Sequence, residues 1–238
     1  MRIFLLENVK SRNLRLYFLD LLGRNPVAYL ILFPLNQKYL PYFQLHLAVF
    51  LFGFTAILGK LISLEGIVLV WYRIAITIGS LLVIPKVYEK AMAMTREERR
   101  KLGIIGCLVA LHWATFYAAI KASNVSITLC CFASVPVFTA LIEPLFFKRK
   151  IQLSEMILGF FIVVGFVFIF ESSWEYWKGI LIALISSLLA ATFSVMNKAI
   201  VNKHETFPIM LIEFLYGIAL LSILIPFFLY FFPETQLF

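Results

Sequence analysis

Seven long apolar runs occupy the sequence from residue 45 onward, and they constrain its fold more than any other feature. A helix that crosses a bilayer needs about 20 mostly apolar residues, whereas the strands of a membrane β-barrel alternate and give no continuous runs. The chain is therefore predicted to be an all-α polytopic membrane protein with seven transmembrane helices. The predicted segments are 45–62, 66–84, 102–120, 125–147, 153–170, 179–196 and 207–232.

The composition excludes most other classes of protein. Hydrophobic residues make up 62% of the chain and charged residues 14%, whereas soluble domains are about 45–50% apolar and about 25% charged. Asp20 is the sole aspartate, and the sequence contains no HExxH, GxSxG or phosphate-binding glycine motif. We therefore expect no enzyme activity, no cofactor and no metal site. The cysteines are interpreted as packing residues, because they lie in apolar runs without metal-ligand spacing.

The basic residues indicate the orientation in the membrane. If the N-terminus is cytoplasmic, the inner segments contain seventeen Lys and Arg residues and the outer loops only Lys121 and Lys178. Such a bias is typical of proteins whose basic loops stay inside. The formal charge of +8 then reflects topology and not a nucleic-acid partner. The predicted location is the plasma membrane, as a multi-pass protein of the bacterial inner membrane.

The first 44 residues have two interpretations. Arg12, Arg15 and Arg24 alternate with apolar residues, a pattern that suits a helix lying on the membrane surface. Alternatively, this extension results from a start site placed too early and has no structural role.

An internal repeat relates the first segment to the sixth. The stretch from Gly53 to Lys60 aligns with that from Ala191 to Lys198 and, with two extra loop residues, Arg73 aligns with Glu213. Segments one and six would cross the membrane in opposite directions. That is the arrangement of inverted-repeat transporters, which bind their substrate near the midplane between the two repeats.

Four stretches together resemble the EamA-domain transporters of the drug/metabolite transporter superfamily. They are Phe52-Gly-Phe-Thr-Ala-Ile-Leu-Gly-Lys60, Trp71-Tyr72-Arg73, the hairpin from His112 to Ser126, and Ser134-Val-Pro136-Val-Phe-Thr-Ala-Leu141. The resemblance implies two inverted five-helix halves. We expect residues 45–170 to form a first five-helix repeat and residues 179–238 the first two helices of a second. Relative to the family pattern, the sequence resembles a C-terminally truncated form.

Polar groups within the apolar segments are the candidates for a solute site. An ionisable side chain inside a membrane is costly and usually faces a cavity or a partner. Arg73 is expected to attract an anionic or carboxylate group, with a structural ion pair to Glu213 or Glu143 as the alternative. The predicted substrate-binding residues are Arg73, Thr77, His112, Trp113, Tyr117, Thr139 and Glu213.

Three of the polar residues in these segments could also move protons. Glu143 and Glu213 are the candidates for carrying a coupling proton, although Glu143 lies near the cytoplasmic end, a position that favours a solvated interfacial glutamate. A histidine in mid-membrane such as His112 suits a proton relay or, as the alternative, a hydrogen bond between helices.

The leading hypothesis is a secondary transporter or exporter of a small organic metabolite. It would work by alternating access around a midplane cavity between the repeats. The alternatives are a seven-helix membrane receptor and an inert fragment of a transporter. The expected partners are a small-molecule solute and the lipid bilayer, with a homodimer left open.

Overall fold

The computed structural model describes residues 39–150, 152–201 and 203–231. These residues form helices joined by short turns, and no β-strand occurs among them. The proposed surface helix within residues 1–44 lies almost wholly outside the described part of the chain. The helices are α1 (Leu40–Leu61), α2 (Gly66–Val83), α3 (Val87–Ala93), α4 (Arg96–Ala122), α5 (Val125–Phe132), α6 (Val135–Phe147), α7 (Leu153–Ser172), α8 (Trp177–Lys198) and α9 (Thr206–Phe231), with a 3₁₀ turn at Trp174–Tyr176.

Six regions of the described chain are long and apolar enough to cross a membrane: α1, α2, α4, the stretch Val125–Phe147, the stretch Trp174–Lys198, and α9. They correspond to six of the seven predicted segments. The remaining segment is α7, whose apolar part, Leu153–Phe168, is shorter. The all-helical membrane fold is therefore confirmed, and the count of seven spans stays a prediction.

Helix boundaries extend beyond the apolar runs where the sequence provides caps. α4 begins at Arg96, six residues before the predicted segment, because Thr95 and Glu98 form a capping box. The Thr95 hydroxyl accepts a hydrogen bond from the Glu98 N–H, and the Glu98 carboxylate accepts one from the Thr95 N–H at 2.9 Å. The charged first turns of α4 therefore continue the spanning helix out of the apolar layer.

The fourth predicted span is broken near its middle. α5 ends at Phe132 and α6 starts at Val135, with Ala133 and Ser134 between them. The Ser134 hydroxyl donates to the Cys131 carbonyl at 2.7 Å, and Pro136, which has no N–H to donate, lies in the first turn of α6. The interruption therefore lies just before Pro136.

The chain divides into two compact units at Phe52 and Gly53. In the first, residues 40–52 form the N-terminal part of α1, and most of their side chains are exposed. The second unit contains the rest of α1 and all later helices.

α4 is the central helix of the second unit. It packs against α2, α8 and α9, while α8 also contacts α5 and α6. Close approach to α9 requires a glycine: a Cβ built on Gly106 would lie 2.0 Å from the carbonyl oxygen of Glu213. At this crossing, Glu213 of α9 therefore lies beside Gly106 of α4.

Polar contacts show which helix ends lie together. One end is here called the basic end and comprises α3 with its flanking turns (84–95), residues 148–150 and residues 203–205. There, Lys90 pairs with Glu205, His204 Nε2 lies 2.9 Å from Glu98 Oε1, and Lys198 pairs with Glu143. At the opposite end, Lys60 Nζ donates to the Ile120 carbonyl at 3.4 Å and Lys121 donates to that of Ile62. Within the second unit, α1 and α4 therefore run toward the opposite end, and α8 runs toward the basic end.

Candidate functional site

Arg73 lies on α2 with its guanidinium against two aromatic rings of α4. Its Cζ is 5.0 Å from the centroid of the Trp113 ring and 5.3 Å from that of Tyr117. Contact between a cation and an aromatic face contributes about 0.5–2 kcal/mol. That is less than the few kcal/mol or more that a charged group within a membrane costs.

The structural ion pair considered for Arg73 does not form within the described chain. There, Glu143 pairs with Arg149 and Lys198 instead, and the Oε1 atom of Glu213 has no hydrogen-bond partner. Nor does the Arg73 side chain form any hydrogen bond to the described residues. Its N–H groups, five in a guanidinium, are therefore available to a ligand or to water.

Tyr117 is held in place by the end of α1. Its side chain is 2% exposed, and a Cβ built on Gly59 would lie 2.1 Å from its ring carbon Cε1. Only a residue without a side chain allows this approach. Gly59 therefore fixes one of the two rings that support the guanidinium.

His112 joins α4 to α8. Its Nδ1 lies 2.9 Å from both the hydroxyl and the carbonyl oxygen of Ser186, and the Ser186 hydroxyl is also 3.0 Å from the carbonyl of His112. The imidazole stacks on Phe132 with ring centroids 5.4 Å apart. The geometry is that of the interhelical hydrogen bond, one of the two roles the sequence left open; the proton relay stays a prediction.

Glu213 lies on α9 and is 4% exposed. Its carboxyl meets the side-chain amide of Asn197 on α8. The buried atoms Glu213 Oε1 and Asn197 Oδ1 both lack a hydrogen-bond partner. Glu213 follows Thr206, the first residue of α9, by two helical turns, or about 10 Å.

The family of the protein follows from comparison with known proteins. The model of the EamA-like transporter family matches residues 40–171, which is more than half of the chain. The chain belongs to the EamA-like transporter family. No curated protein and no solved structure matches it significantly. In this transporter, Arg73, Trp113 and Tyr117 lie within the matched region, and Glu213 lies beyond it.

Glu143 of the transporter belongs to an ion-pair cluster at the basic end. Arg149 Nη2 lies 3.1 Å from Glu143 Oε2 and 3.0 Å from Glu155 Oε1, and Lys198 also pairs with Glu143. The Glu155 and Glu143 carboxylates raise the pKa of Arg149 above its ordinary value. Glu143 thus links α6 to α8, and its part in proton coupling stays a prediction.

Two predicted site residues use their hydroxyls within their own helices. Thr77 donates to the carbonyl of Arg73 and Thr139 to that of Val135, both at 2.8 Å. Thr77 is one turn from Arg73 on α2. Thr139 lies on α6 and is not among the residues that contact the guanidinium.

Three residues that the sequence did not single out complete these clusters: Ser186, Asn197 and Phe214. Phe214 packs on the Trp113 ring with centroids 5.6 Å apart, next to Glu213 in the chain. The repeat alignment offered a signal for Asn197, because it places that residue opposite Gly59. The sequence offers no comparable signal for Ser186.

Two apolar hollows of about 480 and 510 Å³ occur elsewhere on the second unit. The first is lined by Ile67 and the C-terminal part of α9, and the second by residues of α7 and α8 with Trp174 between them. Neither of these two hollows is lined by Arg73 or Glu213.

Proposed function

We propose that the protein is a secondary transporter that moves a small organic solute across the membrane by alternating access. Membership of the EamA-like family and the six helices able to span a membrane support transport. The family assignment also favours transport over the seven-helix receptor considered from the sequence. The solute site would lie near the midplane, between the two inverted repeats.

The helix directions support the repeat proposal. Within the second unit, α1 runs toward the opposite end and α8 toward the basic end, as inverted copies should. α2 and α9 begin at opposite ends as well. Arg73 and Glu213 then occupy equivalent places, each about 10 Å from the first residue of its own helix.

The observation that carries the solute proposal is the Arg73 guanidinium, which rests on Trp113 and Tyr117 without a carboxylate from the described residues. Guanidinium binds carboxylate through two parallel hydrogen bonds. The neighbouring rings would contact the apolar or aromatic part of the same molecule. We therefore propose that the solute is a small organic anion with an apolar or aromatic group.

The first experiment asks whether the protein transports this class of solute. The full chain is reconstituted in liposomes, and counterflow of labelled benzoate and phenylacetate is compared with that of the matched amides, benzamide and phenylacetamide. We expect protein-dependent uptake of the acids, because only they provide the anion. Equal uptake of acids and amides would contradict the proposed role of the cation. Equal uptake by empty liposomes would contradict transport of these solutes.

Location and assembly are part of the proposal. The basic end would face the cytoplasm of a bacterial cell, with the N-terminus on the same side. The possible homodimer stays a prediction, which light scattering of the protein in lipid nanodiscs tests directly.

A further inference from the structure

Among the described residues, the side chains of Glu213 and Asn197 contain two of three buried polar atoms that have no hydrogen-bond partner. Both of these atoms, Glu213 Oε1 and Asn197 Oδ1, are acceptors. The side-chain amide of Asn197 on α8 lies within hydrogen-bond reach of the Glu213 carboxyl on α9, to which its N–H can donate. The two remaining oxygens, Glu213 Oε1 and Asn197 Oδ1, have no donor among the described residues.

A single proton would satisfy both atoms. A carboxylate only accepts hydrogen bonds, whereas a protonated carboxyl has one O–H to donate. If the proton resides on Glu213 Oε1, its O–H can donate to Asn197 Oδ1, so that neither oxygen is unpaired. A buried carboxylate without such compensation would be costly, since an unpaired charge is poorly tolerated inside a membrane.

The surrounding groups provide no cation that would take the place of the proton. On α8, Lys198 is engaged by Glu143, and on α3, Lys90 is engaged by Glu205. On α2, Arg73 faces Trp113 and Tyr117 of α4. The ionisable group of α4 next to the crossing at Gly106 is the thiol of Cys107, which lies 4.0 Å from the carbonyl of Tyr216.

In the loop before α9, His204 pairs with Glu98 and Lys203 is exposed. On α4, Arg99 Nη1 lies 3.5 Å from the sulfur of Met92. No cationic side chain of the described residues forms an ion pair with Glu213. A sodium ion is a poorer fit than a proton, because hard cations take about six oxygen ligands and this pair offers two.

We infer that Glu213 and Asn197 form a proton-binding site about two helical turns from the start of α9. Glu213 binds the proton on Oε1, and Asn197 is a positioning residue that accepts the O–H. When α8 and α9 separate, the O–H bond breaks, the proton passes to water, and the carboxylate keeps the electron pair. As a coupling site this inference rests on the proposed transport; as a proton-binding site it does not.

The contacts of α9 provide a physical route from this site to Arg73. Phe214, the next residue after Glu213, packs on Trp113, and the Arg73 guanidinium contacts the same ring. A shift of α9 on protonation would move Phe214 against Trp113. Proton binding and solute binding would then be coupled through one aromatic ring.

Infrared difference spectroscopy tests the site without any transported solute. Spectra of the full chain in lipid nanodiscs are recorded in acidic minus alkaline buffer, in choline chloride. We expect the C=O band of a protonated carboxylic acid, absent from Glu213→Gln and retained in the matched control Glu143→Gln. In Asn197→Ala the band should move to higher wavenumber, because the hydrogen bond from the carboxyl to Asn197 is lost.

Three results would overturn the inference. The first is that the band persists in Glu213→Gln, and the second is that it keeps its frequency in Asn197→Ala. The third is that the band disappears at fixed pH when sodium replaces choline, which would identify Na⁺ as the bound ion. If Glu213→Gln does not fold, the frequency of the C=O band in Asn197→Ala still tests the site. A titrating band in a protein that transports nothing would contradict the proposed function and leave the proton site intact.

Discussion

The guanidinium of Arg73 on α2 lies 5.0 Å from the ring centroid of Trp113 on α4. Phe214 of α9 packs on the same tryptophan ring, with centroids 5.6 Å apart. One tryptophan therefore contacts the cation of the proposed first repeat and a residue adjacent to the buried acid of the proposed second repeat. A change in the contact between α4 and α9 would therefore move the Trp113 ring at the proposed solute site.

The crossing of α4 and α9 at Gly106 should tolerate no side chain. In Gly106→Ala the new Cβ would lie 2.0 Å from the Glu213 carbonyl oxygen, so the helices must separate. Overpacking of this kind costs about 1–3 kcal/mol. We expect a fall in the apparent melting temperature of roughly 5–10 °C, measured by fluorescence-detected size exclusion after heating. The matched control is Gly79→Ala on α2, where nothing lies within 4 Å of the added Cβ. An equal effect of both substitutions would contradict the close crossing.

The bond between His112 and Ser186 should stabilise the contact of α4 with α8. Ser186→Ala removes the hydroxyl partner of Nδ1 and of the His112 carbonyl. Such bonds in membrane proteins contribute about 0.6 kcal/mol on average and up to about 1.7 kcal/mol. In a double-mutant cycle with His112→Phe, we expect a coupling energy in this range from steric-trap or denaturant unfolding. A coupling energy of zero would show that the bond contributes nothing to stability.

Glu143 and Glu213 should respond differently to removal of their charge. Glu143→Gln weakens the links to Arg149 and Lys198, so we expect a less stable protein whose transport keeps its dependence on an imposed pH gradient. Glu213→Gln should instead abolish that dependence and retain stability, because it removes an uncompensated buried acid. Liposome uptake with and without the gradient measures both. Loss of the pH dependence in Glu143→Gln alone would assign the coupling proton to the ion-pair cluster.

Labelling of single cysteines can measure the orientation of the protein in the membrane. Lys178 lies at the opposite end and Lys203 in the loop at the basic end, and both are exposed. In a variant with its three native cysteines replaced, Lys178→Cys should react with an impermeant maleimide on intact bacteria. Lys203→Cys should react only after permeabilisation. The reverse pattern would contradict a cytoplasmic basic end.

The apolar runs of the sequence were sufficient for six of the seven predicted spans and for the place of Arg73 along α2. Both depend on local properties, namely the apolar length of a helix and a residue's place along it. The capping box of Thr95 and Glu98 was also readable, as a Ser/Thr-x-x-Glu pattern at the start of α4, although the predicted segment began later.

The partners of the buried residues could not be predicted in the same way. Glu213 pairs with Asn197, and Arg73 with two aromatic rings, because of how α4 crosses its neighbours. That crossing depends on Gly59 and Gly106, where a missing side chain allows two helices to meet. A single sequence shows these glycines but does not show which helix each one faces.

The measurement that tests the account most directly is counterflow of labelled phenylacetate in liposomes that contain variants of Arg73. Arg73→Ala should raise the half-saturating concentration about 10- to 100-fold, since hydrogen bonds to a charged group contribute about 1.5–3 kcal/mol. Arg73→Lys should recover part of the loss, as it restores the charge without the paired donors. The control is Lys178→Ala, an exposed cation 5.7 Å from the Trp177 ring, which should leave uptake unchanged. If folded Arg73→Ala transports phenylacetate as well as the unaltered protein does, Arg73 does not bind the solute.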